Sequence, residues 1–314
     1  MSFIRNLFKQ THPPRIAFIA CVEAGNLENQ VVLLFRSIRK YAGQYKDVPI
    51  YSFQPRQGAP LNKNTLKIFE ELCVVHNREI LNTEFEDYPV SNKIFACARA
   101  EEVLTEEILV FLDSDTMIVN DPTDFALPKG VLAAARPVET KNLGSTGRED
   151  PNDEYWRKMY AICDVPEGPF IETSVGQKRI RAYWNAGLIV VLRSAGLFQQ
   201  WKQDFFTLIE AKHIPRKVFF MDQLALAATF ARVPNRVRIY DLRYNYPLAK
   251  RPLLPMPYRV YDFEDLIHIH YHRWFNKPGF LDILKPPLNS QSEIYEWISA
   301  FLPFEPTIDD PLRF

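Results

Sequence analysis

The sequence predicts an α/β fold: a single domain around a mostly parallel central sheet flanked by helices. Three observations predict it. Several short segments are apolar without interruption, as in strands covered on both faces. Segments of helical period alternate with them through the first half of the chain, as parallel strands joined by crossover helices require. A length of 314 residues with 47% hydrophobic content provides for a substantial core.

The elements follow in order. Residues 15–22 form the first apolar run, and a loop with Gly25 and Asn26 leads into a helix over 29–41 with Val32, Phe35 and Ile38 on one side. Residues 48–53 read as a strand, 66–72 as a helix and 73–76 as a short strand. Ser91 is the expected N-cap of a helix from Asn92 through Ile94, Ala98 and Val103. Residues 108–112 are the clearest strand, and 131–135 are again apolar.

From 137 to 183 the period fades. A connection longer than the ~12–15 residues usual for unstructured links is expected to be functional, here as a lid or acceptor loop. A short helix is expected within it at 153–162. Order returns with a strand over 186–192, helices over 195–211 and 221–231, strands over 237–242 and 266–272, and a helix over 292–301. The expected division is a leader at 1–14, a catalytic domain at 15–290, and a C-terminal helix and tail at 291–314.

The totals exclude several classes. Lys plus Arg equals Asp plus Glu at 38 each, so no field of one sign draws the chain to nucleic acid. Cys21, Cys73, Cys97 and Cys163 form no C-x-x-C pair, which argues against a zinc ribbon or a disulfide framework and for a reducing compartment. No run reaches the ~18 apolar residues of a membrane span, and the first residues lack the apolar run and cleavage site of a signal peptide. A cytoplasmic location with no transmembrane segment is the expectation. Oligomeric state is not legible.

Four motifs carry chemistry. Asp113-Ser114-Asp115 ends the clearest strand, at the sheet edge where ligands bind in open α/β folds. Two carboxylates so close repel, and a hard divalent cation relieves that repulsion while accepting phosphate oxygens; the bland alternative is a polar turn. His268-Ile269-His270-Tyr271-His272 sets three imidazoles on alternate positions, which one face of a strand would share. Lys277 and Pro278 follow, the lysine suited to a diphosphate as a point charge. Trp184-Asn185-Ala186-Gly187 opens a strand with a hydroxyl-binding amide and small residues that admit close approach. Asp222-Gln223 opens a helix, where a carboxylate either complements the dipole or meets a substrate.

In this order the motifs resemble the GT-A glycosyltransferases, most closely glycosyltransferase family 8 and its glycogenin and galactosyltransferase-like relatives. The likeness spans about residues 15–280 and includes a lysine upstream of the Asp-x-Asp, here Asn92-Lys93. It implies a Rossmann-like GT-A domain that moves a sugar from a nucleoside diphosphate sugar, with uridine the usual base, to an unidentified acceptor. By that resemblance Asp113, Asp115 and His270 would bind Mn²⁺ or Mg²⁺, with Ser114 between the two carboxylates. Lys277 would hold the diphosphate, and Cys21, Val22, Glu23 and Ala24 would meet the nucleoside. Lys93, Asn185 and Asp222 would lie near the donor sugar or diphosphate, with Gln223 beside them. The family's His-x-x-Gly-x-x-Lys-Pro-Trp ending is lengthened here, with Arg273 near the glycine position, and His268 and His272 lie outside it. The choice of ligand among the three histidines therefore stays open.

Rival readings have discriminating features. A nucleotidyltransferase would carry a Gly-rich phosphate loop after the first strand, where Glu23-Ala24-Gly25-Asn26 holds one glycine. A metallohydrolase on the histidines would need nearby carboxylate ligands, and Asp262, Glu264 and Asp265 form no recognised motif. A non-catalytic nucleotide-binding module would not be expected to keep Asp113, Asp115 and His270.

Overall fold

The computed structural model describes residues 14–212 and 220–304. The expected leader, apart from Pro14, and the last ten residues of the expected tail lie outside the described residues. The first half alternates as its sequence pattern requires: β1 (Ile16–Cys21), α1 (Asn26–Tyr41), β2 (Ile50–Phe53), α2 (Lys63–Glu71), β3 (Val74–Asn77), α3 (Asn92–Val103) and β4 (Ile108–Leu112). Then follow β5 (Thr116–Ile118), β6 (Ala133–Pro137), α4 (Asp153–Ile162), β7 (Phe170–Glu172), β8 (Arg179–Arg181) and β9 (Trp184–Leu192). The chain continues through α5 (Leu197–Glu210), α6 (Met221–Ala231), β10 (Val237–Ile239), β11 (Tyr246–Pro247), β12 (His268–His270) and α7 (Glu293–Ser299).

Among the described residues the main sheet has the order β10-β6-β9-β4-β1-β2-β3. It is parallel except at β9, which runs antiparallel to both β4 and β6. Alternate side chains of each strand feed two separate cores. Leu109 and Phe111 of β4 join Ala96, Ala100, Trp201 and Leu224 from α3, α5 and α6 on one face. Ile108, Val110 and Leu112 join Val31, Leu34 and Ile38 of α1 on the other. No helix among the described residues is long and apolar enough to cross a membrane.

A second sheet, β11-β12-β5, supports the end of β4. β12 pairs antiparallel with β5 in the register His270↔Thr116. Its apolar residues Met117, Ile269 and Tyr271 pack with Phe263, Phe275 and the α7 residues Ile294, Tyr295 and Ile298.

Several boundaries differ from the sequence expectation for identifiable reasons. α1 begins three residues early because the Glu28 carboxylate accepts from the Gly25 N–H at 3.0 Å, satisfying a donor that would otherwise be stranded at the helix start. Ser91 occupies the N-cap position of α3, but its hydroxyl donates to the Tyr88 carbonyl instead of capping the helix. Segment 137–183 is more ordered than its composition implies. It holds α4 and the β7–β8 hairpin, tied by Arg181 to Asp153 at 2.7 Å with both side chains buried.

Candidate active site

β4 is buried along its length and ends where the chain turns into β5, so Asp113, Ser114 and Asp115 emerge half-buried at the carboxyl edge of the sheet. The turn is closed by the Thr116 hydroxyl, which donates to the Asp113 carbonyl at 2.6 Å. The Ser114 hydroxyl donates to Gln30 Oε1 on α1 at 3.0 Å.

The two aspartates face different partners. Lys93 of α3 donates to Asp113, at 2.7 Å to Oδ1 and 2.8 Å to Oδ2. The same ammonium lies 3.8 Å from Asp222 Oδ2 at the start of α6. Burial works against charge on Lys93, but Asp113 and Asp222 outweigh it and hold the ammonium above its ordinary range. Asp222 is 2% exposed, and its Oδ1 has no hydrogen-bond partner among the described residues. Burial raises its carboxyl to about 6, with Lys93 opposing that rise. Gln223, half-buried, follows it on the helix. Asp222 stands in the first turn of α6, whose N-cap is Phe220.

Asp115 faces histidines. Because β12 pairs with β5, His270 is carried to within 3.2 Å, Nε2 to Asp115 Oδ1. The strand ends at His270, and His272 reaches Asp115 Oδ2, at 3.7 Å from its Nδ1, through a left-handed backbone at φ 52°. Among the described residues, Asp115, His270 and His272 are the acidic and imidazole groups whose ligand atoms converge, all within 4.8 Å. Burial opposes a charge on His270, but Asp115 raises the imidazole above its ordinary value; His272 is lowered by burial and by its neighbour His270. Burial also opposes charge on Asp115, yet the two histidines hold its carboxyl well below the usual range. His268 is different: it is fully buried, and its Nδ1 accepts from the Asn245 N–H at 3.1 Å.

This donor set fits a divalent cation. Two ligands on Mg²⁺, at its ~2.1 Å bond length and near-octahedral geometry, lie about 3 Å apart, which the Asp115–His270 separation of 3.2 Å matches. A carboxylate and imidazole nitrogens are also suitable chemistry for Mn²⁺.

Behind His270 lies a polar chain that the sequence did not reveal. His270 Nδ1 meets Asn245 Oδ1 at 3.0 Å, Asn245 Nδ2 donates to Asn185 Oδ1 at 2.8 Å, and Asn185 Nδ2 donates to Glu139 Oε1 at 3.0 Å. Glu139 is paired with Arg136, and Lys250 stands 3.7 Å away. Burial pushes the Glu139 carboxyl up, but Arg136 and Lys250 overcome it and bring it down to about 2. Asn185 is therefore held from three sides, with one amide N–H left for a ligand among the described contacts. Gly187 makes room for the imidazole: a Cβ there would lie 2.8 Å from His270 Cε1.

The loop after β1 lies beside this cluster. Cys21, Val22 and Glu23 line a solvent-open cleft with Leu27, Asn92, Lys93, Phe111, Asp113 and Ser114. Glu23 is anchored by Arg56 and by Asn92, whose Nδ2 donates at 2.9 Å. Ala24 is half-buried beside them. The Cys21 thiol is pushed up by burial. The structure thus brings together Cys21, Val22, Glu23, Lys93, Asp113, Ser114 and Asp222 on one side, and Asp115, His270 and Asn185 on the other. Lys277 is exposed, its ammonium 5.8 Å from the Trp274 ring, on the turn after the histidines. Of the basic residues in and beside segment 137–183, Arg136, Lys141 and Arg181 are engaged internally, the last two with Asp150 and Asp153. Arg148, Lys178 and Arg179 are exposed.

Solved structures share this architecture. The galactosyltransferase LgtC, in complex with donor and acceptor sugar analogues, superposes with a TM-score of 0.54 at 11% identity, covering 92% of this chain and 97% of that one. GlyE of Streptococcus pneumoniae TIGR4 gives 0.53 at 14%, covering 92% of this chain and 60% of that one. The bifunctional glycosyltransferase WbbM gives 0.51 at 14%, with 93% of this chain covered. The present chain spans about half of WbbM's length, 52%. The class so defined is the GT-A fold of glycosyltransferases. Within it, the chain belongs to the Rhodobacterales glycosyltransferase domain family, whose model matches residues 18–233. It thus carries a glycosyltransferase domain. No curated protein matches its sequence.

Proposed function

We propose that this glycosyltransferase moves a hexose from a nucleoside diphosphate sugar, with uridine as the base, to an acceptor hydroxyl, with Mn²⁺ or Mg²⁺ bound at Asp115. The observation that carries this reading is the convergence of Asp115, His270 and His272 at the end of β4, beside the cleft that Cys21, Val22 and Glu23 line. In this reading Asp113, Asp115 and His270 hold the cation, and His272 is a further donor. When bound, the cation supplies Lewis acidity to the charge that develops on the departing diphosphate.

The chain's own residues do the rest. The cleft takes the nucleoside, and Lys277 meets the diphosphate as a point charge. Lys93, paired with the cation ligand Asp113, stands beside Asp222 near the donor sugar, where the remaining N–H of Asn185 and the amide of Gln223 are available to sugar hydroxyls. Residues 15–290 form the catalytic domain, with 137–183 over the donor to exclude water, because hydrolysis is the wasteful side reaction. The ordered likeness of Asp-Ser-Asp, Asn-Ala-Gly, Asp-Gln and His to Lys-Pro supports kinship with glycosyltransferase family 8. The free thiols of Cys21, Cys73, Cys97 and Cys163 support a cytoplasmic location.

The test is a melting-temperature panel of nucleoside diphosphates with and without Mn²⁺. A ligand at 100 times its Kd stabilises by about 2.7 kcal/mol. A uridine diphosphate shift that requires Mn²⁺ and vanishes in Asp115→Ala is the expected result. The absence of any cation-dependent nucleotide shift would sink the proposal.

A further inference from the structure

We infer that Glu139, acting through Asn185 and Asn245, fixes His270 in the tautomer protonated on Nδ1 and so turns its Nε2 lone pair onto Asp115. The argument starts from two groups whose hydrogen-bonding sense is not in question. The Gly187 backbone N–H can only donate, and it points at one end of the Asn185 amide at 2.8 Å, so that end is the oxygen. Glu139, held as a carboxylate by Arg136, can only accept, so the other end of Asn185 is the NH₂. The two anchors agree on one orientation.

The rest propagates. Asn185 Oδ1 is an acceptor, so the Asn245 atom 2.8 Å away must be its NH₂. Asn245 therefore presents its oxygen to His270 Nδ1 at 3.0 Å, and that nitrogen must carry a proton. In the neutral ring Nε2 is left as a lone pair, 3.2 Å from the Asp115 carboxylate. Two acceptors face each other there, an arrangement that only a proton or a cation between them relieves. Flipping either amide would set donor against donor, or acceptor against acceptor, among buried side chains.

Asn245 and Glu139 are positioning residues here. Asn245 holds this role from a left-handed backbone at φ 54°, a conformation asparagine tolerates better than most residues. That Nε2 is presented to a metal rests on the cation centre proposed above; the tautomer does not.

The experiment is long-range ¹H–¹⁵N spectroscopy of the histidine rings in the full chain, at a pH where His270 is neutral. The His270 signals are assigned by their loss in His270→Gln. The wild type is expected to show the Nδ1–H form. Asn245→Gly, which suits the left-handed backbone while deleting the amide, should lose it, and Glu139→Gln, whose amide oxygen still accepts from Asn185, should keep it. A wild type showing Nε2–H or an even mixture overturns the inference without any variant, and so does an Asn245→Gly spectrum identical to wild type. Mn²⁺ titration followed by electron paramagnetic resonance separates the two claims. Outer-shell partners of metal-bound histidines are worth about 10–100-fold in affinity, and a loss of that size is expected in Asn245→Gly. If the wild type binds no Mn²⁺, the cation centre falls while the ring spectra still decide the tautomer.

Discussion

Replacing Asp222 by asparagine should make the folded protein more stable at neutral pH while abolishing transfer. Asp222 is 2% exposed, and its carboxyl is raised by burial from 3.8 to about 6. The native state therefore keeps this proton between pH 3.8 and about 6, while the unfolded chain has lost it. Stability falls as pH rises through that window and stays at its lower level above it. At about 1.4 kcal/mol per pH unit, the gap is worth up to about 3 kcal/mol. An asparagine carries no such burden, and Lys93 keeps its 2.7 Å partner Asp113. The new amide must find a partner near Oδ1, which has none, so a net gain of about 1–3 kcal/mol is expected. Urea denaturation of both proteins from pH 4 to 8 is the assay. The curves should meet near pH 4 and separate as pH rises, with the variant above. A variant equal to or below wild type at pH 7, or a difference that does not change with pH, would refute the reasoning.

Other perturbations probe the same region. Gly187→Ala puts a methyl 2.8 Å from His270 Cε1 and Nδ1; overpacking of this kind costs about 1–3 kcal/mol, and calorimetry should show weakened Mn²⁺ binding along with a lowered melting temperature. Lys93→Met leaves Asp113 and Asp222 facing each other without a cation, and breaking a buried pair typically costs about 3–5 kcal/mol; because Lys93 holds the Asp222 carboxyl down, the variant takes up that proton at a higher pH than wild type, and the loss should shrink as pH falls toward 6, as denaturant melts would report. Arg181→Leu removes the buried cation beside Asp153 and leaves that carboxylate to the more exposed Arg157 and the Ser145 hydroxyl, so segment 137–183 should become more susceptible to limited proteolysis.

Long patterns in the sequence were readable because burial on two faces leaves a mark on every residue. β4 is an unbroken apolar run, β9 is one from Leu188 to Leu192, α6 is apolar almost all round, and Asp113, Asn185 and Asp222 stand at or near the ends of these elements. β5 and β11 are three and two residues long, too short for any periodic signal. Yet β5 is what delivers His270 to Asp115, through a pairing across 154 positions from Thr116 to His270. The alternation rule set the three histidines on one strand face. The strand in fact ends at His270, and His272 arrives by a positive-φ turn that no local pattern announces. Glu139 and Asn245 left no trace at all. Each is an isolated polar residue in a connection, and only the folded chain makes them consecutive links behind one imidazole.

The residues that break local rules gather at this site, and that concentration bears on what the site is for. Asn245 and His272 both take left-handed backbone, Asp222 is buried with an unpartnered oxygen, and Gly187 interrupts an otherwise bulky strand. Each departure costs stability, and none improves the packing of the two sheet cores. A buried polar chain from Arg136 to Asp115 could be replaced by apolar side chains of similar volume with no loss of stability on general grounds. What such a replacement cannot reproduce is a lone pair aimed at a carboxylate across 3.2 Å. A proton or a cation between Nε2 and Asp115 relieves that conflict. Under the proposed cation centre, these departures are the cost of keeping the site ready for its cation.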